Sequence, residues 1–214
     1  MDDLGLSAHE VLTTTRAVRK RLDLERPVER EVIEACIDIA LQAPTGSNSQ
    51  GWHWVVVTEP ATKAALAELY GRSFDPYISS GRRYADGDPR ADRQDSVASS
   101  ATYLREHFAE VPAMVIPCIW GRLSGEFLNV TAASMYGAII PAAWSFMLAL
   151  RSKGLGSAWT TLHLAYEEEA AELLGIPYER VTQVGLFPVA YTKGTDFRPA
   201  QRIPASEVTH WDRW

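Results

Sequence analysis

Hydrophobic positions recur at helical spacing in Val32, Ile33, Cys36, Ile37, Ala40 and Leu41, which predicts a helix with one buried face. Pro27 should open it, since the first helical turn has no internal partner for the missing donor, and Pro44 should end it. Ser7 and Glu10 form an S-x-x-E capping box and predict an earlier short helix running up to Thr13–Thr15. Trp52 to Thr58 is β-branched and aromatic and reads as a strand, with Trp52 and Trp54 on one face. Ala61 to Tyr70 reads as a helix, as does the stretch from Ala91 to Ala109. Ala113 to Trp120 reads as a second strand, with Pro117 hinting at an edge or bulge.

Residues 131–151 are apolar almost all round, so a buried helix is predicted, kinked or begun at Pro141 and stopped at Gly154. Gly156 to Leu162 is a third strand candidate and Val181 to Tyr191 a fourth, with a helix at Glu167–Gly175 between them. Partial alternation of strands and helices suits an α+β domain, and the 214 residues suit a single one spanning 1–214. Segment 71–92 lacks periodicity and carries Arg82, Arg83 and Tyr84, which suggests a lid. The tail from Lys193 to Trp214 should be extended, and a partner chain is a natural place for it.

Composition narrows the function classes. A net charge of −6 argues against non-specific nucleic-acid binding, which needs a basic face. No uninterrupted apolar run reaches the roughly 20 residues of a membrane helix, and the acidic start does not resemble a signal peptide, so a cytoplasmic protein without a membrane partner is expected. Cys36 and Cys118 sit in apolar runs and read as buried small hydrophobes. Neither H-E-x-x-H nor C-x-x-C occurs, so no metal site is expected. There is no G-x-G-x-x-G before a helix, no phosphate-binding P-loop and no nucleophile elbow.

Three constellations carry candidate chemistry. Arg16, Arg19, Lys20 and Arg21 concentrate positive charge in an acidic chain, and guanidinium forks suit phosphate oxygens; a solvated basic surface is the alternative. The loop 43–52 offers backbone donors, hydroxyls and side-chain amides able to read the polar edge of a flat ring, or else is an ordinary turn. The glycine pair at 154 and 156 lets a backbone approach a flat ligand closely, or simply stops a helix before a core strand. His163 is the histidine best placed to reach a ligand, although a hydrogen-bonded structural role is the stronger reading.

These constellations, in this order, resemble the nitroreductase family of FMN enzymes. A-P-T-G-S-N-S-Q-G-W-H-W-V-V-V at 43–57 matches its P-(S/T)-x-x-N-x-Q-x-W-x-(F/W) signature, and T-T-R-A-V-R-K-R at 14–21 resembles its T-x-R-S-(V/I)-R-x-F. G-L-G-S-A-W at 154–159 and R-x-P-x-x-E-V at 202–208 resemble two further pieces. The resemblance implies a three-layer α/β/α sandwich with a mainly antiparallel sheet, and a homodimer whose C-terminal tails are exchanged. It implies FMN at the subunit interface: Arg16, Ala17, Arg19 and Arg202 at the phosphate and ring edge, Pro44, Thr45, Gly46 and Asn48 covering the flavin from the other subunit, and Trp159, Thr160 and Thr161 beside the reactive face. The helix at 131–151 would form the dimer core.

Departures from the pattern are Ala17 for a serine, Arg21 for an aromatic, Thr160–Thr161 for an apolar–glycine pair, and Ala200 for a late lysine that Arg198 could replace. Thr160 or Thr161 could add a donor near the flavin or narrow access. The expected reaction is ping-pong hydride transfer from NADH or NADPH through bound FMN to an electron-poor acceptor such as a nitroaromatic or quinone, with no catalytic side chain required. A different flavin reaction on the same scaffold, such as enone reduction or dehalogenation, and a flavin-sequestering protein without turnover are the alternatives.

Overall fold

Alternate side chains of strand β2 (Ala113–Trp120) enter opposite cores, because neighbouring residues of a strand face opposite sides of the sheet. Met114, Ile116 and Cys118 go to one side, Ala113 and Val115 to the other. The computed structural model describes residues 3–81, 84, 88, 91–123 and 129–214. Around β2 lie β1 (Trp52–Val57), β3 (Leu155–Ser157), β4 (Val181–Gln183) and β5 (Phe187–Tyr191). The sheet order is β1-β2-β5-β3, with β4 also on β2, and all four strand pairings are antiparallel.

Helices α3 (Pro60–Ser80), α4 (Gln94–His107) and α6 (Glu167–Leu174) cover one face of the sheet through Leu66, Tyr70, Phe74, Leu104 and Ala170. Helices α2 (Arg30–Ala40) and α5 (Asn129–Ser152) cover the other through Ile33, Cys36, Ala143, Phe146 and Leu150, against Phe187 and Val189 of β5. The result is the expected three-layer α/β/α sandwich. Each fully buried large side chain contributes about 1.5–3 kcal/mol by leaving water, so the two cores dominate local propensity. Burial pushes the thiols of Cys36 and Cys118 up to about 12, which makes both inert packing groups.

Helix α1 (Ala8–Thr14) starts at the Ser7–Glu10 capping box, with both reciprocal bonds present. Trp52 and Trp54 both face α5, the first donating to the carbonyl of Ala138 at 2.8 Å and the second packing on Phe146 at 5.3 Å. Gly175 stops α6 in a left-handed conformation, φ 67°.

Several expected boundaries move. Helix α2 begins at Arg30 rather than Pro27. Helix α3 runs to Ser80, through Pro76, so the first ten residues of the expected lid are helix. Phe74, buried against Tyr70, and the Arg105–Asp75 ion pair anchor that extension. Arg82 and Arg83 lie outside the described residues. Pro117 sits in a central strand, not at an edge: β5 pairs with β2 as far as Val115 and β4 from Cys118, and the proline falls in the gap between.

Helix α5 starts at Asn129 and passes through Pro141. By length and composition it is long and apolar enough to cross a membrane, which a search for uninterrupted apolar runs overlooks because uncharged polar residues punctuate it. Here its buried face belongs to the protein core. The expected third strand stops at Ser157, and Leu162–Tyr166 is a 3-10 turn. The expected fourth strand is two strands, split at Val184–Leu186.

The tail is not free of its own subunit over its first residues. Arg21 donates to the carbonyl of Lys193 and pairs with Asp196, Arg151 donates to the carbonyl of Thr195, and Arg16 donates to that of Arg198. Residues 201–214 are all exposed, Trp214 completely.

Candidate functional site

The basic segment is held against the sheet by a close backbone approach. Ala17 forms a parallel bridge with Ser157, and the Val18 amide donates to the Ser157 carbonyl at 2.8 Å. Gly156 permits this: a Cβ there would stand 2.7 Å from Thr192 and 2.8 Å from Val18. Of the two readings the sequence leaves open for the glycine pair, a flat ligand or a helix stop before a core strand, the second describes Gly156, which lies in β3 with the Arg16–Arg19 segment as its neighbour.

Arg16 is half-buried and lowered in pKa, first by burial and then by the like charges of Arg202 and Arg93. Its Nη1 is 2.7 Å from the carbonyl of Arg198. The charges of Arg93 and Arg202, from the middle and end of the chain, are therefore felt at Arg16. Among the described residues none of the three has a carboxylate partner, which leaves positive charge uncompensated here. Arg93 escaped the sequence reading because it follows a stretch that looks like a lid.

Arg19 turns a different way, toward α4. Its Nη1 donates to Ser100 Oγ at 3.3 Å, and its pKa is lowered chiefly by burial. It too lacks a carboxylate partner among the described residues. Lys20 is bonded to Ser99 and Arg21 to Asp196, so these two cations are engaged within the chain.

Pro44, Thr45, Gly46 and Asn48 lie elsewhere, in the loop before β1. Gly46–Asn48 forms one 3-10 turn packed near Ser134 of α5. Ser47, Asn48 and Gln50 all take positive φ, 53°, 54° and 47°. A left-handed L-residue costs about 1–2 kcal/mol, and such strain clusters where backbone groups meet ligands. Two local bonds sustain it: the Gln50 amide to Thr45 Oγ1, 3.2 Å, and Gln50 Nε2 to Asn48 Oδ1, 2.9 Å.

Gly46 opens onto a cavity of about 730 Å³ whose walls include His53, Trp120, Arg122 and Ser134. None of Arg16, Arg19, Arg202 or Trp159 lines it. Among the described residues no hydrogen bond or ion pair links the arginine cluster to the 44–48 loop. Within one chain the two groups of candidate residues therefore stand apart.

Trp159 is half-buried on Phe187, ring centroids 4.9 Å apart. Thr160 is buried, and its hydroxyl donates to the Leu186 carbonyl at 2.5 Å, so it does not serve as the extra ligand donor that the sequence suggested. Thr161 is exposed and remains available. His163 is wholly buried in a structural setting, with the Gln183 side chain beside its ring and no hydrogen bond of good geometry to either ring nitrogen among the described residues. Burial drives it to about 4, against smaller opposing effects of Gln183 and Glu167, so it is neutral at pH 7. Beside it, Arg122 makes a two-pronged pair with Glu167, 2.6 and 3.1 Å, which also receives the Gln183 amide.

Among the described residues no cluster of three potential metal ligands occurs. The fold is thus a three-layer α/β/α sandwich carrying an arginine-rich segment and, apart from it, a strained loop on a cavity. The sequence profile of the nitroreductase family matches residues 12–191, and the chain belongs to that family. It is 25% identical to an NADH dehydrogenase of Thermus thermophilus, over 94% of this chain and 97% of the relative. It is likewise 25% identical to a putative NAD(P)H nitroreductase of Bacillus subtilis, over 92% and 95%. The FMN-dependent nitroreductase NfnB from Mycobacterium smegmatis, solved in complex with NADPH, shares the fold at TM-score 0.67 and 22% identity, over 96% and 98% of the two chains.

Proposed function

We propose that the chain is an NAD(P)H-dependent flavin oxidoreductase that works as a homodimer with FMN shared between subunits. The observation that carries this is Arg16, anchored on the Arg198 carbonyl of the tail and under the charges of Arg202 and Arg93, without a carboxylate partner among the described residues. A phosphomonoester is doubly charged near neutral pH and offers several acceptor oxygens, which fits such a cluster. Arg16 and Arg202 hold the phosphate, Arg19 stays turned toward Ser100 of α4, and the Ala17 backbone, fixed on Ser157, meets the ring edge. Pro44, Thr45, Gly46 and Asn48 of the second copy cover the ring, with the strained turn presenting backbone donors. Trp159 and Thr161 flank the reacting face, while Thr160 locks their loop to Leu186.

When bound, FMN would supply the redox chemistry that links NADH or NADPH to an electron-poor acceptor such as a nitroaromatic or quinone in ping-pong order. The protein positions these partners and needs no acid or nucleophile. The exposed α5 stripe of Gly137, Ile140 and Trp144, continued by the groove at Pro44, Pro141 and Leu148, is the surface proposed to receive the second copy. The tail beyond Arg198 then reaches across it.

An absorbance spectrum of the purified protein, before and after anaerobic NADH or NADPH, tests the reading. A flavin spectrum that bleaches on addition and recovers with a nitroaromatic is expected. A colourless protein that takes up no added FMN would overturn it, and a flavin that neither nicotinamide bleaches would mean sequestration instead.

A further inference from the structure

Arg151 is the one charged side chain of α5 that is buried, at 5% exposure, and it has no carboxylate partner among the described residues. Its Nε and Nη2 donate to Thr14 Oγ1, at 3.3 and 3.2 Å, and Nη2 also donates to the carbonyl of Thr195 at 3.0 Å. Its Nη1 is buried without a partner among the described residues. The guanidinium lies 5.0 Å from the centre of the Phe197 ring, over which Arg21 also sits at 4.3 Å. Thr14 is saturated by this arrangement, since its hydroxyl accepts from Arg151 and donates to the Glu10 carbonyl at 2.6 Å.

The Glu10 carboxylate attracts Arg151 without forming an ion pair with it, so the buried cation is only partly compensated, and a neutral side chain of similar length would fill the space more cheaply. What the charge accomplishes is visible in the chain positions it joins. Thr14 ends α1 two residues before Arg16, and Thr195 lies three residues before Arg198, whose carbonyl Arg16 grips. One side chain therefore fixes the approach of both chain ends to the arginine cluster.

We propose that Arg151 is a positioning residue for phosphate recognition, splinting the α1 end to the start of the C-terminal tail so that Arg16 and Arg202 converge. This rests on the reading of that cluster as the FMN phosphate site. Arg151 acts through Thr14 and Thr195 and does not itself touch the ligand.

The test compares FMN with riboflavin, which carries the same ring without the phosphate. Binding of each to the flavin-stripped full chain is followed by quenching of flavin fluorescence, with melting temperature and circular dichroism as checks on folding. Arg151→Met is expected to weaken FMN at least tenfold and riboflavin less than twofold, with Arg151→Lys recovering part of the loss. Thr14→Val should act in the same direction, and the double variant should fall short of the product of the two. Equal weakening of both ligands, or of neither, would overturn the proposal. Should Arg151→Met fail to fold, Thr14→Val carries the test with the same two outcomes. Arg16→Ala serves as the reference: if it too cannot separate FMN from riboflavin, the phosphate reading fails, whereas separation by Arg16→Ala alone sinks only the positioning role.

Discussion

Thr160 and Leu186 exchange two hydrogen bonds, the Thr160 hydroxyl donating to the Leu186 carbonyl at 2.5 Å and the Leu186 amide to the Thr160 carbonyl at 2.8 Å. The pair closes the space beyond the end of β3 and fixes the loop that carries Trp159 and Thr161. Thr160→Val keeps the shape and strips the donor, leaving a buried carbonyl short of a partner, a loss of about 1–3 kcal/mol. A lower melting temperature with unchanged acceptor preference is expected. A change of acceptor preference at constant melting temperature would mean that the hydroxyl faces the ligand.

Arg202 lies in the exposed tail, yet its charge is felt at Arg16. Arg202→Ala removes a charge-assisted contact of about 1.5–3 kcal/mol, equivalent to roughly 10–100-fold in the FMN dissociation constant. The wild-type advantage should shrink in 0.5 M salt, because an exposed cation is screened. Titration at low and high salt checks this, and a salt-independent loss would point to a packing defect.

His163 makes stability depend on pH in a defined window. Its folded value of about 4 lies below its ordinary 6.5, so between these pH values the unfolded chain binds the extra proton. Stability then rises with pH: the contribution is complete above 6.5 and lost as pH falls toward 4, amounting to about 3 kcal/mol over the full window. Urea melts at pH 7, 5.5 and 4.5 should show this slope in the wild type and a flatter one in His163→Leu. Equal slopes would assign the acid sensitivity elsewhere.

Much of the architecture was legible because its signals are local. The Ser7–Glu10 box and the Gly175 stop need only their own neighbours, and the alternation in β2 follows from strand geometry. The failures have tertiary causes. Pro76 should break a helix, but the packing of Phe74 and the Arg105–Asp75 pair carry α3 past it. The Gly156–Leu162 stretch has strand propensity, yet β5 offers a partner only as far as Ser157. Of the proposed phosphate cluster, Arg16 and Arg202 are named by motif position alone, while Arg93 and the positioning role of Arg151 come into view only in the folded chain.

Ser47 is the residue most exposed to a direct test of loop strain, at φ 53° in an open turn. Ser47→Gly removes the left-handed penalty and should leave the fold and flavin binding intact. Ser47→Val adds a β-branched side chain to that conformation, costing about 1–2 kcal/mol or displacing the turn. Because the turn is proposed to cover FMN in the second subunit, Ser47→Val should speed flavin release more than it lowers the melting temperature of the flavin-stripped protein. Equal behaviour of both variants would mean that the turn conformation does not matter to the ligand.

The proposed sharing of the flavin between two subunits makes a prediction for assembly. Ile140 and Trp144 lie on α5, 44% and 39% exposed, one turn apart on the side opposite its buried face. A lone apolar side chain on a surface is ordinary, but this pair continues into the groove at Pro141 and Leu148, and contiguous apolar surface marks an association face. Ile140→Asp together with Trp144→Glu places like charges across a twofold contact, where each would meet its own copy. Light scattering should then report a monomer where the wild type gives a dimer. Because the arginine cluster and the 44–48 loop come from different subunits in this reading, the monomer should lose the flavin as well, with α/β content by circular dichroism retained. A monomer that keeps its flavin would show that one chain holds the whole site, and a dimer surviving both charges would move the interface off α5.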